Sequence, residues 1–263
     1  MARLGPPTGD DLRLRLSADG CSLGTFLGLQ TPAAAEVAGL AGLEWVVLDL
    51  EHGGVTAADV GPTVVAAAAY DVAVIVRVPR ADRAMIGWVA DQGVAGIMVP
   101  RIESVAEANH VAGFFSYPPE GERGVASYTR AAGWGQRTVT DLPRPVYMPQ
   151  VETPGALADV EAIAELQEVD ALFIGPLDLS FALGVPANLT DEGFLHAFHG
   201  IIQAGRKHGT PVGSIAPSNE RAVAMVSDGV DFLALGSDAL WLRQSLTESA
   251  EALRTQSPKN ERS

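Results

Sequence analysis

Four runs of strand-like apolar residues in this chain end on side chains that can do chemistry. They are Trp45-Val46-Val47-Leu48-Asp49-Leu50-Glu51-His52, Val74-Ile75-Val76-Arg77, Val146-Tyr147-Met148-Pro149-Gln150-Val151-Glu152 and Ala171-Leu172-Phe173-Ile174-Gly175-Pro176-Leu177-Asp178. Carboxylates, one imidazole and one guanidinium make up the parts of a metal-assisted enzyme, provided that the four endings meet. A parallel α/β barrel would bring them together, because all its strands end on one face.

Each candidate has a structural alternative. An unpaired carboxylate behind a buried strand costs several kcal/mol, and two brought close together also repel. A divalent cation on Glu152 and Asp178 would relieve both problems, and hard oxygen donors in small number suit Mg²⁺ or Mn²⁺. Capping of the following helix, or pairing with an arginine, would equally account for each acid. His52 is flanked by acids and followed by Gly53-Gly54, which free the backbone to turn. An imidazole there has the makings of a general base, and a structural role is as compatible with its position. His110, His196, His199 and His208 fall on predicted helices, where packing or surface roles are expected. Arg77 ends a buried strand and must face an anion, which its fork grips at two points. An internal salt bridge to Asp49 or Glu51 is the alternative, and the two roles are compatible. Gly175-Pro176-Leu177-Asp178 reads as a strand-to-helix turn with the N–H groups of Leu177 and Asp178 open to an anion. Gly236-Ser237-Asp238 offers the same arrangement, and either could be a simple capped turn.

The chain has two lysines, Lys207 at a helix end and Lys259 near the C-terminus. Neither ends a strand, so a Schiff-base mechanism has no good candidate. The sequence contains no P-loop, no G-x-G-x-x-G and no G-x-S-x-G elbow, which removes the usual support for nucleotide binding or an α/β-hydrolase.

The elements that must position these groups alternate regularly. Strands are predicted at 22–27, 45–50, 73–78, 95–99, 146–151, 170–174, 211–215 and 231–235. Helices are predicted at 32–42, 57–70, 83–92, 104–113, 155–166, 191–208, 219–228 and 239–254. The strands are short, apolar throughout and rich in Val, Ile and Leu, as strands covered on both faces are. Thr31-Pro32, Thr153-Pro154 and Ser218-Asn219 supply helix-start signals. Eight strand–helix units in 263 residues fit a single (β/α)₈ barrel domain better than an open doubly wound sheet. Residues 114–144 break the rhythm with a long aperiodic segment holding Tyr117-Pro118-Pro119-Glu120-Gly121-Glu122-Arg123-Gly124 and Arg130. A connection of that length is usually functional or disordered. Residues 256–263 read as a frayed polar tail.

The formal net charge is −14, from 18 basic and 32 acidic residues. That argues against nucleic acid, which needs clustered Lys and Arg, but not against a small anionic substrate. Cys21 is the single cysteine, so no internal disulfide is expected, in keeping with a cytoplasmic location. No signal-like or membrane-spanning apolar stretch is evident, so no membrane association is expected.

The motifs Gly24-Thr25-Phe26-Leu27-Gly28-Leu29, Asp49-Leu50-Glu51-His52, Val76-Arg77-Val78-Pro79, Val99-Pro100-Arg101, Tyr117-to-Gly124, Gln150-Val151-Glu152-Thr153 and Phe173-to-Ser180 together span most of the chain. In them the sequence resembles the HpcH/HpaI family of class II, metal-dependent pyruvate aldolases, of the 4-hydroxy-2-oxoheptanedioate and 2-keto-3-deoxy-rhamnonate aldolase type. The resemblance implies a TIM barrel with a C-terminal helix exchanged between subunits, and a homo-hexamer built as a dimer of trimers. It implies a divalent cation (Mg²⁺, Mn²⁺ or Co²⁺) on Glu152 and Asp178, and pyruvate and an aldehyde as partners. Arg77 would stand beside the keto oxygen, the Gly175–Leu177 turn and the Leu177 amide at the carboxylate, and Gln150 on a water or a substrate oxygen. His52 would be the base, oriented by Asp91 from the same or a neighbouring subunit, and Arg123 would shape the mouth of the site. Phe26 departs from the family's frequent tryptophan, which puts the acceptor pocket in question but not the pyruvate half.

The chemistry so implied is cleavage of a 4-hydroxy-2-oxo acid through a metal-stabilised pyruvate enolate, with charge that is larger in the transition state than in the ground state. Three other readings stay open. A CoA-thioester lyase or an oxaloacetate decarboxylase of the same superfamily would pass through a similar enolate. A non-catalytic barrel that only binds a 2-oxo acid would keep the pocket without turnover.

Overall fold

The computed structural model describes residues 5–256. It is a closed barrel of eight parallel strands in sequence order: β1 (Ser22–Leu27), β2 (Trp45–Asp49), β3 (Ala73–Arg77), β4 (Gly96–Val99), β5 (Val146–Val151), β6 (Leu172–Ile174), β7 (Val212–Ala216) and β8 (Phe232–Ser237). All eight lie within one or two residues of their predicted bounds. Each strand is apolar on both faces because each face is covered. Phe26, Trp45, Val47, Ile75, Met98, Met148, Phe173 and Phe232 fill the interior. Val46, Leu48, Val74, Val76, Leu172 and Leu233 face the helices outside.

Among the described residues eleven helices surround or close the barrel: α1 (Gly9–Leu16), α2 (Ala33–Leu40), α3 (Ala57–Ala68), α4 (Arg83–Asp91), α5 (Val105–Ala112), α6 (Pro154–Ala158), α7 (Val160–Glu165), α8 (Pro176–Ala182), α9 (Glu192–His208), α10 (Asn219–Asp228) and α11 (Asp238–Gln256). Two expected start signals act as caps: Thr153 Oγ1 accepts from Ala156 N at 3.0 Å and Ser218 Oγ from Arg221 N at 3.3 Å. Thr31 does not, because α2 starts from Pro32.

The structure departs from the sequence reading in three places: at α1 and α8, neither of which is predicted, and in the helix expected over 155–166. No element is predicted before residue 22, yet the segment GDDLRLRL is a helix started by a Thr8–Asp11 capping box. It buries Leu12 and Leu16, four apart, and leaves Leu14 74% exposed. Those two leucines join the interior cluster and plug the end where the strands begin. The single helix expected over 155–166 is broken at Asp159, whose carboxylate accepts from Val105 N at 2.9 Å and ties the break to α5. The long segment between α5 and β5 is irregular except for a 3₁₀ turn at Val139–Asp141. It lies at the strand-start end, where Arg13 of α1 donates to the carbonyl of Arg144 and pairs with Asp170 at 2.8 Å.

The last helix, α11, holds the barrel at its first turn, where Trp241 Nε1 donates to the Leu235 carbonyl. Farther along, Leu242, Leu246 and Leu253 are exposed. An apolar groove of about 630 Å³, lined by Leu27, Ala34, Val37, Leu43, Leu235 and Leu242, lies between α2 and the root of α11. Of the tail expected over 256–263, Gln256 is the last residue of α11, and 257–263, with Lys259, lie outside the described residues. Among the described residues no helix is long and apolar enough to cross a membrane.

Candidate active site

A pocket of about 270 Å³ opens where the strands end, and its wall includes Phe26, Asp49, His52, Arg77, Gln150, Gly175, Leu177 and Asp178. The four chemistry-bearing strand ends therefore do converge. Parallel register does part of this work, since Asp49 and Arg77 are direct neighbours across β2 and β3.

Arg77 is locked in place. Its Nε and Nη2 donate to the two Asp49 oxygens at 2.8 and 2.7 Å, and its Nη1 lies 3.3 Å from Glu51 Oε2. The guanidinium stands 5.0 Å above the Phe26 ring. Burial disfavours its charge, but Asp49 and Glu51 outweigh that and hold its pKa above the ordinary value. Two of its five N–H groups are hydrogen-bonded to Asp49 and Nη1 is ion-paired with Glu51, so N–H groups remain for a ligand. The Asp49 carboxylate is also desolvated, yet Arg77 and the backbone N–H groups of His52 and Glu51 hold it below its usual range. Both expected partners of Arg77, Asp49 and Glu51, are engaged at once.

Glu152 sits almost fully buried beneath the pocket. Its Oε1 accepts from the Arg101 backbone N–H at 2.8 Å and its Oε2 from Gln150 Nε2 at 2.9 Å. A side chain at position 175 would obstruct this acid, since a Cβ there would lie 2.2 Å from Glu152 Oε2. Burial raises the Glu152 pKa to about 7, and the negative charges of Asp178 and Glu51 add to the rise. Glu51 is raised too, by burial first, with Asp49 and Asp178 adding. Asp178 lies in the first turn of α8, whose start has no side-chain cap among the described residues. This is an excess of carboxylate facing too little cation. Gln150 Oε1 is buried and has no hydrogen-bond partner among the described residues. Two carboxylates and one orphaned amide oxygen form a hard donor set that fits a divalent cation.

His52 is 68% exposed at the rim, anchored through its backbone N–H to Asp49 Oδ1 at 3.2 Å. The carboxylate beside its ring is Glu51, with Nε2 and Oε1 3.7 Å apart. Asp91 is elsewhere: α4 carries it back to the end where the strands begin, and there it pairs with Arg123 Nη2 at 2.7 Å. Arg123 is buried against the Tyr117 ring at 4.7 Å. A connection from a helix back into a strand must lie at the strand-start end. So neither Asp91 nor Arg123 reaches the mouth of its own barrel. The Gly236-Ser237-Asp238 turn is also no anion site, because the Asp238 carboxylate itself accepts from Gly28 N and Leu29 N at 2.9 and 3.1 Å.

Sequence reasoning gave no role to two participants. Glu51 had the signal of its strand-end motif but was considered only as a salt-bridge partner. Arg101 acts through its backbone, held at φ +54°, a left-handed conformation that costs a non-glycine residue about 1–2 kcal/mol. No side-chain pattern reveals such a donor.

Residues 22–245 match the HpcH/HpaI aldolase/citrate lyase family model. The chain is 33% identical over 244 residues to a 5-keto-4-deoxy-D-glucarate aldolase of Klebsiella pneumoniae, covering 91% of this chain and 94% of the relative. It is 34% identical over 229 residues to a pyruvate aldolase of Rhizobium etli, covering 85% and 89%. Among solved structures, an HpcH/HpaI aldolase/citrate lyase family protein from Burkholderia cenocepacia superposes with a TM-score of 0.88 at 30% identity, covering 92% of this chain and 98% of that one. The chain belongs to the HpcH/HpaI aldolase/citrate lyase family.

Proposed function

We propose that the protein is a metal-dependent aldolase that cleaves 4-hydroxy-2-oxo acids to pyruvate and an aldehyde, and joins the two in reverse. The observation that carries this reading is the buried Glu152 carboxylate, repelled by Asp178 beside an orphaned Gln150 oxygen and a rigid guanidinium. A divalent cation (Mg²⁺, Mn²⁺ or Co²⁺) held by Glu152 and Asp178 supplies positive charge for the oxygen that becomes an enolate.

The chain's own residues do the rest. Asp49 and Glu51 fix the plane of Arg77, so its remaining N–H groups meet the substrate keto oxygen without reorganisation. The Leu177 N–H, at the open start of α8, holds the carboxylate, and Gly175 keeps that turn close to Glu152. Phe26 bounds the pocket under Arg77 and keeps water from it. His52 takes the proton from the C4 hydroxyl. The C3–C4 bond then breaks, its electron pair ends on the C2 oxygen, and the aldehyde departs. C3 finally regains a proton to give pyruvate, so atoms and charge balance.

Asp91 and Arg123 enter this reading only from a neighbouring copy of the chain, whose strand-start face would cover the mouth. The apolar groove beside α2 and the exposed leucines of α11 support an exchange of that helix between copies, within a dimer of trimers. The experiment is release of pyruvate from a 4-hydroxy-2-oxo acid with Mg²⁺ present. Asp178→Ala should abolish it, and full activity of the wild type in excess EDTA would refute the reading.

A further inference from the structure

The mouth of the barrel has two unlike walls. The ends of β2, β3 and β6 carry the ionisable groups of the pocket and that of β5 carries Gln150, whereas the ends of β7 and β8 contribute Ile215 and Ser237. Behind these two a second chamber opens, of about 270 Å³ like the first, sharing Pro176, Leu177, Ile215 and Ser237 with it. Leu189, Ala216, Pro217 and Leu240 complete its apolar lining. The Ser237 hydroxyl is its one polar side-chain group among the described residues, and it already accepts from Leu240 N at 3.3 Å. Arg221 is not among the lining residues; its Nη2 donates to the Leu189 carbonyl at 3.3 Å.

We infer that this chamber receives the substituent of the aldehyde, and that the preferred substrates are 4-hydroxy-2-oxo acids whose C4 carries an unbranched aliphatic chain. The inference rests on the aldolase reading above. In that reading Arg77, Glu152 and Asp178 claim the pyruvate end. The aldehyde carbon must face His52 on the charged wall, and its substituent then runs along the first turn of α8 toward β7 and β8. A carboxylate or polyol placed there would lose its water among Leu, Ile and Pro side chains with no cation among the lining residues in exchange, which is costly. An alkyl chain gains with every methylene it buries, about three- to fourfold in affinity for each one. The Klebsiella pneumoniae relative, by contrast, is named for a glucarate-derived substrate.

Two measurements with the Mg²⁺-loaded protein test this. The first is exchange of pyruvate methyl protons with deuterated solvent, which needs no aldehyde and reports the aldolase reading alone. The second is kcat/KM for condensation of pyruvate with ethanal, propanal, butanal and pentanal, set against succinic semialdehyde, the carboxylate-ended counterpart of butanal. Exchange is expected, with kcat/KM rising about threefold or more per methylene and butanal exceeding succinic semialdehyde by at least roughly tenfold. Leu189→Trp, which fills the chamber from a half-buried loop position, should lower the pentanal-to-ethanal ratio by about tenfold or more. Exchange with a flat series, with succinic semialdehyde preferred, or with an unchanged ratio in Leu189→Trp overturns the chamber and leaves the aldolase reading standing. Absence of exchange overturns both.

Discussion

The cation-binding reading has a consequence for stability that activity assays do not touch. Glu152 has a folded-state pKa of about 7 against an ordinary value of 4.5, because burial and then Asp178 and Glu51 disfavour its charge. Between those values the folded chain holds more proton than the unfolded chain, so stability without metal falls as pH rises. The contribution is fully present below the unfolded value of 4.5 and is lost as pH passes through about 7. A difference of that size corresponds to about 3 kcal/mol at full ionisation. For a domain of this length that is roughly 6–12 °C in Tm.

The assay is thermal unfolding followed by circular dichroism in EDTA, from about pH 5 to about pH 8. Wild type and Glu152→Gln are compared so that all other titrating groups cancel. Wild type should lose the larger part of those degrees relative to the variant. Saturating Mg²⁺ at high pH should restore them in the wild type, since a ligand at about 100 times its Kd adds about 2.7 kcal/mol. Equal pH slopes for the two proteins would refute the placement of an uncompensated charge at Glu152. Indifference of the wild type to Mg²⁺ would refute the cation site.

Three further outcomes follow from single contacts. Gly175→Ala would put a methyl group 2.2 Å from Glu152 Oε2, so the carboxylate must move; Mg²⁺ affinity measured by calorimetry should drop at least tenfold, at a stability cost of about 1–3 kcal/mol. Arg77→Lys keeps the charge but cannot hold Asp49 at two points, and pyruvate release should fall by about 10²–10³ in kcat; an unchanged kcat would exclude Arg77 from the transition state. Mixing unfolded His52→Ala and Arg123→Ala chains and refolding them together should restore activity in roughly a quarter of the sites if Arg123 acts on a neighbour's site, and a mixture as inactive as its components would show that it does not.

Much of this architecture was legible because burial leaves a mark on composition. Eight apolar runs such as Val46–Leu48 and Val74–Val76 are covered on both faces, and their spacing leaves room for little but a helix between them. The groups that meet at the strand ends were legible for a related reason: a charged side chain at or just after such a run, as at Asp49, Arg77, Glu152 and Asp178, is costly unless it works with others. What escaped the sequence has no such signature. The helix α1 carries no clear signal because it buries only two leucines, Leu12 and Leu16, with Leu14 between them at 74% exposure. The break at Asp159 depends on a bond to Val105 from a different helix. The Arg101 amide carries no side-chain information at all.

Asp91 and Arg123 show a different kind of limit. As residues they look functional: a buried arginine in a long irregular segment, and an acid that it pairs with at 2.7 Å. Chain topology sets them apart from His52, because in a parallel barrel the connections leaving strands and those returning to them lie at opposite ends. A residue on a returning connection can serve a barrel mouth only if that mouth belongs to another molecule. The same conclusion is reached from α11, which leaves its own barrel after one turn with three leucines uncovered, next to an apolar groove that its own chain leaves open. Two unrelated features, one polar and one apolar, thus support the proposed assembly of copies. A monomeric form of this protein, if one can be isolated, should keep the cation site of Glu152 and Asp178 while losing whatever Asp91 and Arg123 contribute.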